Sequence, residues 1–289
     1  MKTYFVCSDI HGYFNEWMLS LKEAGFDLLN SNHILIVLGD IFDRGGQPKG
    51  IYQFLKSFPA KRLILIRGNH EYLLLELVKR GYPLEHDEHN GTYQTLIDLY
   101  KDPYETQKEF LLNNRDKYEN SELYAVSFHI YQQAVKDLYT NDTIKEIVRW
   151  IKSKKWKNYY ELGPYIFVHA FIPLKDRINP YLDNNGNYYD LWRDEKDKQL
   201  WEDATWGCPY ELYLHGCFDP ELKKGKILVC GHWHTSSFYN ELLYKNDKTK
   251  QLDVKKENPI FISEMFPGLI GLDTCTALTK KVNVLVIQI

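Results

Sequence analysis

The first eighty residues alternate apolar runs with helically spaced polar stretches. TYFVCS, ILIVLG and RLILIR are rich in β-branched residues, and between and after them come helical patterns over 13–24, 48–57 and 70–80. Strands separated by helices predict crossover units and a largely parallel sheet. Each run ends in a polar cluster: SDIHG, GDIFDRGG and GNHE. Over 81–158 the pattern changes to long polar and aromatic segments with helical spacing, predicting a helical cap inserted into an α/β body. Strand character returns in PYIFVHA, gives way to an irregular Trp-rich stretch over about 175–226, and resumes in KILVCGHWH. The tail, from NPIFISE to VNVLVIQI, predicts strands that close a second sheet. With no internal repeat and no low-complexity linker, residues 1–289 are expected to form one domain.

Composition narrows the classes. The chain has 289 residues, 44% of them hydrophobic and 26% charged, which is ordinary for a globular protein. Its formal charge of −3 supplies no basic field, so no stable nucleic-acid binding is expected. Five cysteines without a CxxC pair do not form a disulfide framework and point to a reducing cytoplasm. The start is too poor in apolar residues for a signal peptide, and no stretch approaches the ~20 apolar residues needed to span a bilayer. No membrane association is expected.

The polar clusters carry the chemistry. Asp9 and His11 lie two positions apart, and residues so spaced on an extended strand share a face. Asp40 and Asp43, Asn69 and His70, His169, and His232 and His234 also follow predicted strands. Ligands at the carboxyl ends of strands in an open α/β sheet fall in one crevice. Each residue alone has a local explanation: a helix cap for Asp9, turns for Asp40 and Asn69, and a core histidine for His169. All of them at strand ends together point to a metal. Carboxylate, amide and imidazole donors suit Mn2+, Fe2+ or Zn2+. Seven of them, Asp9, His11, Asp40, Asn69, His169, His232 and His234, are the potential ligands and exceed the needs of one tetrahedral ion, so two ions sharing Asp40 are expected. Such a pair can clamp both oxygens of an in-line displacement at phosphorus.

In this order, SDIHG, GDIFDRGG, RGNHE, VHA and GHWH resemble the five signature blocks of the calcineurin-like metallophosphoesterases. The Arg after the second Asp of GDIFDRG, with RGNHE, is similar to the Ser/Thr phosphoprotein phosphatase branch and its bacterial, phage and diadenosine-tetraphosphatase relatives. The resemblance implies a four-layer α-β-β-α sandwich of two mixed sheets flanked by helices. It implies Asp9, His11 and Asp40 around one ion, and Asp40, Asn69, His169 and His232 around the other. His234 would be a further ligand or a phosphate contact. His70 would be the general acid, oriented by Asp43. Arg44 would bind substrate phosphate through its guanidinium fork. Arg67 is either a second phosphate clamp or a structural partner. The cofactors expected are two divalent ions, Mn2+ first, with Fe or Zn as alternatives.

Other positions receive structural roles. Glu71 is expected to favour the first turn of its helix. His86, His89, His129 and His215 match no block and are assigned to surface or core duties. The segment LWEDATW is expected to border the cleft, and Cys7 and Cys230 to act as small buried hydrophobes. The expected activity is a metal-dependent phosphomonoesterase like a protein Ser/Thr phosphatase, with a phosphorylated protein as substrate. The nearest enzymatic rival is a bis(5'-nucleosyl) tetraphosphatase or another nucleotide phosphohydrolase or phosphodiesterase. A catalytically silent binding module of the same fold is the rival from another class.

Overall fold

Every long apolar run divides its side chains between two different interiors, which sets the layering. In a computed structural model describing residues 1–175 and 188–289, ten strands form: β1 (Thr3–Cys7), β2 (His33–Val37), β3 (Leu63–Ile66), β4 (Trp156–Lys157), β5 (Tyr160–Leu162), β6 (Tyr165–Phe167), β7 (Ile227–Cys230), β8 (Phe261–Ile262), β9 (Leu269–Gly271) and β10 (Leu285–Gln288). They make two five-stranded sheets, ordered β10-β1-β2-β3-β4 and β5-β6-β7-β9-β8. Both sheets are mixed: β1 to β4 run parallel with β10 antiparallel, while β6, β7 and β9 run parallel with β5 and β8 antiparallel.

Strand alternation sends Tyr4, Val6, Ile34 and Ile36 into a core between the sheets, where they meet Phe167, Val229 and Ile270. Phe5, Cys7, Leu35 and Val37 point the other way, into a core under helices. Ile166, Val168, Leu228 and Cys230 do the same on the far side of the second sheet. Strands buried on both faces must be apolar at consecutive positions, which explains runs such as ILIVLG. The result is the expected four-layer α-β-β-α sandwich.

The helices α1 (Phe14–Glu23), α2 (Pro48–Ser57) and α3 (Asn69–Arg80) follow β1, β2 and β3, within a residue of the predicted spans. The polar segment holds α4 (Glu85–Asn90), α5 (Thr92–Leu99), α6 (Pro103–Asn114), α7 (Asn120–Thr140) and α8 (Asp142–Ile151). Leu96, Leu99, Leu138, Ile144, Ile147 and Trp150 from these helices share the core under the first sheet with Phe5 and Leu35. The segment is therefore welded to the body. Helix ends at Ile151, and the chain re-enters the first sheet at β4, where Trp156 packs edge-on to Trp150. Of the Trp-rich stretch, 176–187 lies outside the described residues. The rest includes the short helices α9 (Lys198–Ala204), α10 (Pro209–Leu214) and α11 (Asp219–Leu222), with Trp192 and Trp201 buried. No helix among the described residues is long and apolar enough to cross a membrane.

Candidate active site

The loops leaving β1, β2 and β7 are wound into backbone conformations that side chains usually avoid. Eight described non-glycine residues have positive φ, and six are Asp9, His11, Asp40, Asp43, Arg44 and His232. Each such residue costs on the order of 1–3 kcal/mol and persists only where its surroundings hold it. Here the two loops brace each other: His11 N–H donates to Asp40 O at 2.9 Å, and Gly12 N–H to Ile41 O at 2.9 Å. The His232 N–H donates to Asp9 Oδ2 at 3.0 Å, which joins the two sheets. Close approach also demands glycine. A Cβ at Gly68 would strike Asp40 Oδ1, and one at Gly231 would strike Ser8 Oγ and Asp9 Oδ2.

The two most buried histidines are oriented by backbone carbonyls. His11 Nδ1–H donates to Phe42 O at 3.0 Å and His169 Nδ1–H to Leu38 O at 2.6 Å, so each turns the Nε2 lone pair to the cleft. His169 Nε2 lies 2.8 Å from Asn69 Oδ1, 3.3 Å from His232 Nδ1 and 3.4 Å from Asp40 Oδ2. His11 Nε2 lies 3.8 Å from Asp40 Oδ2 and 3.9 Å from Asp9 Oδ1. Donor atoms bound ~2.0–2.2 Å from one ion must lie within about 4.4 Å of each other. The donor atoms of two groups lie within 4.8 Å of one another, close to that limit: His11 with Asp40 and His70, and Asp40 with His169 and His232, so Asp40 belongs to both.

The electrostatics suit a cation. Burial, then the nearby Asp273, pushes Asp9 up to about 6, and burial raises Asp40 well above the usual carboxylate range. Burial, with cationic neighbours adding to it, lowers His11 and His232, so both favour the neutral ligand form. Buried carboxylates short of positive charge beside neutral imidazoles make a donor set that fits divalent metal. His234 is not drawn into either group. It is 35% exposed, with Nε2 3.8 Å from Asp273 Oδ2. Asp273 itself was missed by the sequence reading. It follows β9, is buried, accepts Cys275 N–H at 2.7 Å and is pushed up to about 6 by burial. The strand-end rule that found Asp9 also applies to the GLIGLDT segment.

His70 lies in the first turn of α3, and its Nδ1–H donates to Asp43 Oδ2 at 2.6 Å. Its Nε2 faces the cleft, 3.8 Å from Asp40 Oδ2. Burial pulls this imidazole down, but the Asp40 and Asp43 carboxylates outweigh it and its pKa is raised. Asp43 is held in turn by Thr92 Oγ1 at 2.7 Å and Thr95 Oγ1 at 2.8 Å, both on α5, and Asp43 N–H donates to Thr95 Oγ1 at 3.0 Å. These threonines carry no motif of their own. Glu71 does more than start a helix: its carboxylate, fully buried, accepts the N–H groups of Gly68, Asp40 and Ile41.

The two arginines part company. Arg44 is exposed, with Nη1 3.0 Å from His11 Nε2 and Nη2 3.4 Å from His70 Nε2, so its guanidinium spans the mouth of the cleft. Arg67, considered as a phosphate clamp, turns away from the cleft. Ile66 faces the core between the sheets, so the next side chain points to the helical side. There Arg67 donates to Asn158 Oδ1 at 3.2 Å and Ile151 O at 3.0 Å, and lies 5.5 Å from the Tyr72 ring. Trp206, which ends LWEDATW, packs edge-on to His232 at 5.8 Å between centroids. Cys7 and Cys230 are fully buried thiols, with Cys7 pushed up to about 12 by burial.

The family described as calcineurin-like phosphoesterase matches residues 2–236. A symmetrical bis(5'-nucleosyl)-tetraphosphatase of Buchnera aphidicola is 35% identical over 77 residues, 27% of this chain and 26% of that protein. Serine/threonine-protein phosphatase 1 of Salmonella typhimurium is 35% identical over 72 residues, 25% of this chain and 31% of that protein. The chain thus aligns with about a quarter to a third of the length of these curated relatives. A cold-active protein-tyrosine phosphatase of a Shewanella species superposes over 100% of this chain and 76% of its own, with TM-score 0.51 and 16% identity. That likeness concerns the fold alone.

Proposed function

The chain belongs to the calcineurin-like phosphoesterase family, and from that premise we propose that it hydrolyses phosphate monoesters at the Asp40-centred groups, acting on phosphoserine or phosphothreonine in proteins. One observation carries the reading: the carboxylate-bound imidazole of His70 faces the cleft 3.8 Å from Asp40, the carboxylate that also stands beside His11 and His169. Asp9, His11 and Asp40 would hold one divalent ion, and Asp40, Asn69, His169 and His232 a second. Such ions supply positive charge to the phosphoryl oxygens and make bound water acidic enough to serve as nucleophile near neutral pH.

The remaining work falls to side chains. Arg44, beside His11 and His70, would grip the substrate phosphate, its fork matching two phosphoryl oxygens. The Asp43 carboxylate fixes the Nδ1–H tautomer of His70 and favours its charged form, so Nε2 can hold the proton that the leaving oxygen needs. Thr92 and Thr95 keep Asp43 in place. The ions proposed are Mn2+, with iron or zinc as competing occupants, and the proposed setting is the cytoplasm, in keeping with five buried free cysteines.

A second reading, hydrolysis of dinucleoside polyphosphates, draws on the likeness to the Buchnera tetraphosphatase. A substrate panel with Mn2+ separates the two: phosphopeptides, dinucleoside tetraphosphate, p-nitrophenyl phosphate and bis(p-nitrophenyl) phosphate. Phosphopeptide turnover well above the others supports the first reading. Preference for the dinucleotide selects the second, and no turnover of any of them refutes both and returns the binding-module alternative.

A further inference from the structure

At the edge of the first sheet, between the turn after α8, the first turns of α3 and the approach to α9, lies a cavity of about 690 Å³. That is within the ~300–1,000 Å³ typical of small-molecule sites. Lys152, Lys154, Lys157, Lys196, Lys198 and Arg67 line it, against one lining carboxylate, Glu195. None of the five lysines has an acidic partner among the described residues; Lys157 instead lies 5.0 Å from the Tyr160 ring. Glu195 is already engaged, accepting Asp197 N–H at 2.6 Å. Like charges drawn from segments far apart in sequence repel one another, which favours an anion held between them.

The lining thus asks for a ligand that is all acceptor, carries several negative charges and is larger than a single ion. A phosphate chain has that chemistry; a lone carboxylate does not.

We propose that this cavity binds a polyphosphate chain, free or carried by a nucleotide, at a site separate from the Asp40-centred groups. The connection from β3 to α3 joins the two, since Arg67 precedes Asn69 and His70 while Tyr72, also in the cavity wall, follows them. The proposal does not depend on which substrate the metal centre takes.

Titration of the full chain with tripolyphosphate, followed by tryptophan fluorescence and repeated at rising salt, tests it. The expected result is saturable, salt-sensitive binding that weakens about tenfold or more in the Lys154→Glu/Lys198→Glu double variant. Asp40→Asn is expected to bind as the wild type does. Absence of saturable binding at millimolar tripolyphosphate overturns the proposal. So does wild-type affinity in the double variant, or loss of binding in Asp40→Asn alone, which would put the anion at the metal centre. ATP in place of tripolyphosphate separates the sources: equal or weaker binding assigns a free chain, and at least tenfold tighter binding a nucleotide.

Discussion

Replacing Glu71 with glutamine changes one buried atom and three hydrogen bonds. Oε2 accepts from Gly68 N at 2.7 Å and Asp40 N at 3.0 Å, and Oε1 from Ile41 N at 3.1 Å. Bonds to a charged acceptor contribute about 1.5–3 kcal/mol each, and neutral ones about 0.5–1.5. With its oxygen kept at the Gly68–Asp40 position, glutamine sets an NH2 against the Ile41 N–H, so that bond is lost and the other two fall to neutral strength, a change of roughly 3.5–6 kcal/mol. Relief from burying a charge offsets part of it, leaving a loss of about 2–4 kcal/mol. Urea unfolding followed by circular dichroism measures this. At a slope of about 3 kcal/mol per molar, the midpoint falls by roughly 0.7–1.3 M. The same turn carries Asp40, so the variant should also retain less Mn2+ after dialysis. A midpoint within about 0.2 M of wild type, with full metal content, would refute the idea that this carboxylate holds the Asp40 turn.

Three other changes probe separate parts of the site and scaffold. His70→Asn should lower kcat by about 10²–10⁴ on substrates with poor leaving groups and far less on p-nitrophenyl phosphate, and equal losses on both would exclude proton donation by His70. Thr95→Val keeps shape but removes a hydroxyl that both donates to and accepts from Asp43; it should cost about 1–3 kcal/mol of stability and lower kcat with KM little changed, and an unchanged kcat would detach α5 from the chemistry. Glu221 is fully buried among Tyr188, Trp192, Arg193 and Lys224. Burial raises its pKa, but these donors outweigh it and hold it well below the usual range. The folded value is depressed, so its stabilisation is complete above the unfolded value of about 4.3 and fades as pH falls below that. The urea midpoints of wild type and Glu221→Gln should therefore differ by a constant amount from pH 8 to about 5.5 and converge below about 4.3. A gap that widens in acid would contradict the assignment.

How far the sequence reached depends on the range of the interactions involved. The strands, the helices after them and the donor residues at strand ends were legible, because apolar runs and the polar clusters that end them are written in consecutive residues. The layering was legible only through resemblance, since a run such as ILIVLG does not say which interior receives each side chain. Arg67 shows the limit from the other side: its block looked like part of the site, yet one step of strand alternation turned it towards Asn158 and Ile151.

The order of elements and the set of candidate ligands were determined by local pattern alone, since strand periodicity and donor chemistry need only neighbours. What tertiary structure decided is how that set becomes a site. Leu38 and Phe42 carbonyls select which nitrogen of His169 and His11 faces the cleft. Threonines 49 and 52 residues beyond Asp43 hold the carboxylate that holds His70. Asp273 charges the pocket of Asp9 from near the opposite end of the chain. Hydrogen bonds and electrostatic fields act through distance in space, and no local pattern of residues records which distant groups the fold will bring within a few ångströms.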